Sequence, residues 1–275
     1  MAYKETLSLS RATAMGTARI YIALPKSGFD EVWFYFHGAG EIDASCVELP
    51  MSFIRNGRAA LPAIVAVTFG PKWFLVDSTE KRRYSSSKIF WEEILPLIRS
   101  ETGTTARCVG IGYSMGGFNL LSLFADRPSF WSSLVFVSPA IAELSPASDA
   151  GAVADYVART KAYTPKQRLM AILGARLDNN IRVILDAWGE VTQSSETWAR
   201  IAPLPRVASL PGISTLGLPI LITCGVSDEY GFFEGSRKLA SILGEDARLR
   251  TYYYKGRHGD IPTAEIAAFL GTKSP

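Results

Sequence analysis

Apolar residues in this chain follow two patterns that alternate along its length. Short continuous blocks, Val32-Trp33-Phe34-Tyr35-Phe36, Ala63 to Phe69, Leu134-Val135-Phe136-Val137 and Pro219 to Gly225, have the length and bulk of strands buried on both faces. Arg107 to Gly112 and Leu249 to Tyr254 read as two more strands. Between the blocks, apolar residues recur at helical spacing in Ile89 to Ser100, in the run from Phe118 to about Asp126, from about Gly231 to Leu243, and from about Pro262 to Leu270. Upstream, Thr6 to Leu24 predicts two strands closed by the turn Pro25-Lys26-Ser27-Gly28, an antiparallel lead-in to the sheet. Strands alternating with helices predict an α/β fold with a doubly wound, mainly parallel sheet, in which loops after the strands gather along one edge and ligands bind there.

The pattern changes between Ile141 and about Pro211. Helical segments are expected over Ala152 to Lys161, Lys166 to Arg176, Ile181 to Trp188 and Glu196 to Ile201, broken by Pro165, Gly174, Gly189 and Pro203-Leu204-Pro205. So long a stretch between two sheet strands exceeds a simple crossover. It predicts a helical cap, 141–211, inserted into a single domain spanning 1–275.

Composition narrows the setting. With 48% hydrophobic residues in 275, the chain can bury a large core. A net charge of +3, with both signs interspersed, offers no basic stripe for nucleic acid and no polybasic tract for a membrane. The apolar blocks are strand-sized, far short of a membrane span of about 20 residues. Met1 to Pro25 contains no apolar secretory block, and Cys46, Cys108 and Cys224 are widely separated, so a reducing cytoplasm is expected. No metal or organic cofactor is implied, because two histidines on separate strand ends form no recognisable ligand set. Nothing in the pattern specifies an oligomeric state.

The candidate chemistry sits in Gly110-Ile111-Gly112-Tyr113-Ser114-Met115-Gly116-Gly117, which carries Gly-x-Ser-x-Gly between a strand and a helix. A serine on such a turn is held in strained geometry with its hydroxyl clear of the sheet edge, and the N–H of Met115 at the helix start faces any oxyanion formed beside it. The strand ending in His37-Gly38-Ala39-Gly40 offers a second N–H, from Ala39 or Gly38. Ser114, Asp228 and His258 each follow a predicted strand, in the order nucleophile, acid, histidine. His258 has the chemistry of a general base and Asp228 that of its orienting acid, with Glu229 or Glu143 as the fallback acid. Asp228 could instead cap the next helix, and Asp260 is expected to cap the last one ahead of Pro262. His37, Tyr113 and Trp188 are candidates for substrate contact, although His37 also suits the role of ordering its own loop, and Trp188 that of packing.

That order of residues, Gly112-Tyr113-Ser114-Met115-Gly116-Gly117, the run from Phe124 to Phe130 through Arg127-Pro128, and Ser138-Pro139-Ala140 resemble the α/β-hydrolases, and among them the esterase D-like group of S-formylglutathione hydrolases, feruloyl esterases and enterochelin esterases. The resemblance spans about Val32 to Ala140 and Pro219 to Leu270. It does not cover the cap, and the setting of the histidine, Gly-Arg-His-Gly-Asp, departs from it. It implies a serine hydrolase acting on a small carboxylic ester or thioester. Acyl transfer, C–C or amide cleavage on the same triad, and ligand binding without catalysis are the alternatives.

Overall fold

The computed structural model describes residues 2–40, 43–54, 60–103, 105–159, 179–213, 217–244 and 248–271. Its strands are β1 (Leu7–Thr13), β2 (Gly16–Ala23), β3 (Glu31–Phe36), β4 (Ala63–Thr68), β5 (Arg107–Tyr113), β6 (Ser133–Val137), β7 (Ile220–Gly225) and β8 (Leu249–Tyr254). They form one sheet in the order β1-β2-β4-β3-β5-β6-β7-β8. β1 and β2 pair antiparallel, β2 runs antiparallel to β4, and every pairing from β4 to β8 is parallel.

The continuous apolar blocks have the strand period of two folded into them. Phe34, Phe36, Val65 and Val67 enter one core, and Trp33, Tyr35, Ile64 and Ala66 enter the other. The first core also takes side chains from helices Met115–Asp126 and Phe232–Leu243, the second from Thr263–Gly271. Burial on both faces is why these strands lack a polar side.

The chain passes from β3 to β4 on one side, then returns to place β5 on the other side of β3. The carboxyl ends of β3 and β5, aligned as Phe36 with Gly112, therefore form the topological switch point of the sheet, where a crevice opens. His37-Gly38-Ala39 and Ser114 emerge there side by side.

Close packing at this point depends on glycine. A methyl group on Gly116 would sit 1.8 Å from the Phe36 carbonyl oxygen, and one on Gly112 would sit 2.6 Å from the Gly116 carbonyl oxygen. Gly116→Ala must push the helix off β3, and we expect the urea midpoint to fall by an equivalent of about 2–3 kcal/mol. An unchanged midpoint would mean that strand and helix can separate without cost.

One element differs from the sequence expectation. Ile89 to Ser100 is not one regular helix: Ser86–Ile89 and Leu95–Thr102 flank a π-helical turn over Phe90–Ile94. The Leu95 N–H reaches back to the Phe90 carbonyl, immediately before Pro96, which has no N–H to continue an α-helical ladder. Pro203-Leu204-Pro205 breaks the helical run as expected, since Ser195–Ile201 ends at an extended Ala202, and it also opens the next helix, Pro203–Ala208, where a proline in the first turn loses no hydrogen bond. Between β6 and β7 the other described helices are Ala150–Arg159, Asn179–Gly189 and Ser195–Ile201. The helix expected over Lys166 to Arg176 lies outside the described residues. No described helix is long and apolar enough to cross a membrane.

Candidate active site

β5 runs directly into the helix Met115–Asp126 through one residue, Ser114, whose backbone has φ 52 and ψ −118. A side chain pays about 1–3 kcal/mol for such a conformation, so the surroundings must hold it. They do so with four backbone hydrogen bonds. Ser114 donates its N–H to Val137 O at 2.9 Å, and its carbonyl accepts from Gly117 at 2.9 Å, Phe118 at 3.3 Å and Ala140 at 2.8 Å. The nucleophile candidate is thereby pinned between its own helix and the end of β6. The first N–H groups of a helix lack intrahelical acceptors, which leaves that of Met115 suited to a developing negative charge.

His258 and Asp228 arrive from the neighbouring strand ends of β8 and β7, paired as Tyr254 with Gly225. His258 Nε2 lies 2.9 Å from Ser114 Oγ, and His258 Nδ1 lies 2.7 Å from Asp228 Oδ2. A carboxylate can only accept, so Nδ1 carries the proton and Nε2 accepts from the serine hydroxyl. Asp228 is fully buried, with Oδ1 accepting the Tyr230 N–H at 2.9 Å and Oδ2 also accepting from the Cys224 thiol at 3.7 Å. Burial, reinforced by the Asp228 charge, pushes the Cys224 thiol far up and keeps it a donor. Three rings enclose the imidazole: Tyr113 stacks on it at 5.4 Å and 23°, while Tyr230 and Phe232 meet it edge to face at 4.8 and 5.4 Å. Tyr113 is thus a neighbour of His258, as well as of Gly38, whose missing methyl would fall 2.9 Å from the Tyr113 ring.

Of the two roles expected for His37, the structure shows the ordering of its own loop and corrects the substrate contact, because neither ring nitrogen is open to a ligand. It is fully buried, its Nε2 accepts the Trp73 indole N–H at 3.1 Å, and its Nδ1 therefore carries the proton and donates to Gly38 O at 2.5 Å. Because C=O and N–H point opposite ways in a trans peptide, holding the Gly38 carbonyl toward His37 turns the Ala39 N–H away from it. This supports Ala39 over Gly38 as the second oxyanion donor. Gly40 N–H to Pro71 O at 2.8 Å ties the same loop to the segment that carries Trp73, and Trp73 N–H to the Met115 sulfur at 3.2 Å ties that segment to the helix start. Asn119, a buried polar residue in an apolar helix, fixes that neighbour by accepting from Leu75 N–H at 2.8 Å and donating to Trp73 O at 3.3 Å. Burial holds the His37 pKa below the ordinary 6.5. The unfolded chain then takes up this proton at a higher pH than the native one, so stability is lost as pH falls below about 6.5. We expect the urea midpoint of the native protein to decline over that range more steeply than that of His37→Gln; equal slopes would remove His37 from the account.

Trp188 likewise takes the packing role of its two expected ones, and its substrate contact is corrected. It is 1% exposed and packs against Trp198 at 4.8 Å and Phe118 at 6.2 Å, so the ring belongs to the core and is not open to a ligand. Two acids also take other work: Asp260 Oδ2 accepts Arg257 N–H at 2.7 Å instead of capping the last helix, and Glu143 pairs with Lys238 at 3.2 Å. The segment after Asn179–Gly189 is tied to the 72–82 loop through Lys72 to Glu190 at 2.6 Å, Thr79 to Val191 O at 2.7 Å, and Gln193 N–H to Glu80 at 3.0 Å. A cavity of about 430 Å³ opens between Ser195–Ile201, Pro203–Ala208 and Phe232–Leu243, lined by Leu144, Trp198, Leu204, Lys238 and Ile242 but by none of Ser114, Asp228 and His258. Among the described residues, no group of His, Cys, Asp and Glu could hold a metal ion.

No protein-family model matches the sequence, and no curated protein sequence matches it. Solved structures do. An esterase from Pyrobaculum calidifontis is similar over 97% of this chain and 84% of its own, with TM-score 0.64 and 16% identity. A ferulic acid esterase is similar over 97% and 96%, with TM-score 0.57 and 13% identity. An S-formylglutathione hydrolase from Agrobacterium tumefaciens is similar over 98% and 96%, with TM-score 0.57 and 15% identity. The chain has the fold of the α/β-hydrolase esterases.

Proposed function

We propose that this protein is a serine hydrolase that cleaves a carboxylic ester or thioester through an acyl-enzyme on Ser114. The observation that carries the proposal is the unbroken chain of hydrogen bonds from Ser114 Oγ through both nitrogens of His258 to the buried Asp228. In the reaction, His258 Nε2 takes the hydroxyl proton as Ser114 Oγ attacks the carbonyl carbon. Asp228 stabilises the imidazolium that forms. The N–H groups of Met115 and Ala39 receive the oxyanion, each contributing roughly 3 kcal/mol. Collapse returns the proton to the departing alcohol or thiol and leaves the acyl group on Ser114. Water then repeats the sequence, with His258 again as base, and releases the carboxylic acid.

We read the insertion 141–211 as a cap over this crevice, whose described part is held to the 72–82 loop at Glu190, Val191 and Gln193. The likeness to esterases of known structure supports ester substrates. Hydrolysis of p-nitrophenyl esters of increasing acyl length tests the proposal. Turnover with a chain-length preference is the expected result; a protein inert toward all of them, and toward a thioester, would contradict it.

A further inference from the structure

We propose that Glu229 is a positioning residue for His258, an inference that rests on the serine-hydrolase reading of the same site. Asp228 and Glu229 are consecutive, and they grip one residue at two places. Asp228 Oδ2 holds the ring at Nδ1, at 2.7 Å, while Glu229 Oε2 accepts the backbone N–H of His258 at 3.0 Å. The first bond aligns the imidazole; the second fixes the main chain from which it springs.

The base loop needs such a hold. It is Lys255-Gly256-Arg257-His258-Gly259-Asp260, with Lys255, Arg257, Gly259 and Asp260 exposed, and glycines on both sides of the histidine widen the backbone's range. Before the histidine, the loop is anchored to the acid loop by Val226 N–H to Tyr254 O at 2.9 Å and Ser227 N–H to Gly256 O at 3.0 Å. Beyond it, Asp260 turns back onto Arg257 of the same loop, which stiffens the loop without tying it to β7. At His258 itself the tie to the acid loop runs through Glu229 and Asp228. A base displaced by about 1 Å can lose on the order of 100-fold in rate, so a bond that sets the backbone position acts on catalysis without touching substrate.

The hydrogen bond, not the charge, carries this role, which makes glutamine the conservative replacement: its amide oxygen still accepts an N–H. The experiment measures kcat and KM on a p-nitrophenyl ester, together with amide hydrogen exchange at His258, for the native protein, Glu229→Ala and Glu229→Gln. Glu229→Ala is expected to lose about 10- to 100-fold in kcat with KM within about twofold. Its His258 amide should exchange about tenfold faster or more, through local opening. Glu229→Gln should restore both to within about threefold of native, as expected when the acceptor is kept. A native kcat in Glu229→Ala, or Glu229→Gln as impaired as Glu229→Ala, would overturn the proposal. Exchange reads the clamp independently of turnover. If the native protein proves inert, unchanged His258 protection in Glu229→Ala still overturns the clamp, whereas lost protection upholds it and leaves the failure with the hydrolase reading alone.

Discussion

Ser114→Ala is expected to lower kcat on a p-nitrophenyl ester by about 10⁴-fold or more, with KM within a small factor. The reasoning starts from geometry. The hydroxyl is the donor to His258 Nε2 at 2.9 Å, and removing it takes away the only atom in the arrangement positioned to accept the acyl group. The proposed oxyanion donors are backbone groups, so they survive the substitution, and substrate binding through them is expected to survive as well. Stability should change little. Alanine lacks only one oxygen, and the four backbone bonds that hold residue 114 do not involve the side chain. Circular dichroism and a urea titration alongside the kinetics separate loss of chemistry from loss of fold. A kcat that falls less than tenfold would require another nucleophile.

Asp228→Asn is expected to cost about 10³- to 10⁴-fold in kcat, again with KM nearly constant. The carboxylate is fully buried and has both oxygens engaged: Oδ1 with the Tyr230 N–H, Oδ2 with His258 and the Cys224 thiol. An asparagine must choose. With its NH₂ toward His258, the imidazole is driven into the tautomer that carries the proton on Nε2, and the ring can no longer accept from Ser114. With its oxygen toward His258, the NH₂ confronts the Tyr230 N–H, donor against donor. The fold should tolerate the change, because losing a buried charge relieves desolvation as it removes attraction. Measuring kcat together with the thermal midpoint checks this. Activity within tenfold of native would show that Asp228 does not set the tautomer.

The strands and the elbow were legible because their signals are local. A block such as Val32 to Phe36 can bury both faces only in a sheet covered on both sides, and Gly112 and Gly116 mark a crossing too close for a larger side chain. The pairing of Ser114, Asp228 and His258 followed from their places just beyond strands, because a parallel sheet brings such loops together. What sequence did not carry was long-range and polar. The loop-ordering role of His37 could be read from its glycine-rich setting, but its partner Trp73, far along the chain, could not. Asp260 sat where a helix cap belongs, but its carboxylate accepts the loop's own Arg257 N–H. Tyr230 and Phe232 around the imidazole, and the Glu229 bond to the His258 backbone, depend on how two loops from different strands fold over each other. Asn119 did leave a signal, as the polar interruption of an apolar helix, although its partners at Trp73 and Leu75 could not be read from it.

The most direct test of the central claim is the intact mass of the native protein after reaction with a fluorophosphonate, measured beside Ser114→Ala and His258→Ala. A serine activated by His258 predicts a single phosphonyl adduct on the native chain that maps to the peptide containing Ser114, no adduct on Ser114→Ala, and labelling slowed by orders of magnitude in His258→Ala. No adduct on the native chain, or an adduct that persists in Ser114→Ala, would contradict the assignment of Ser114 as the nucleophile.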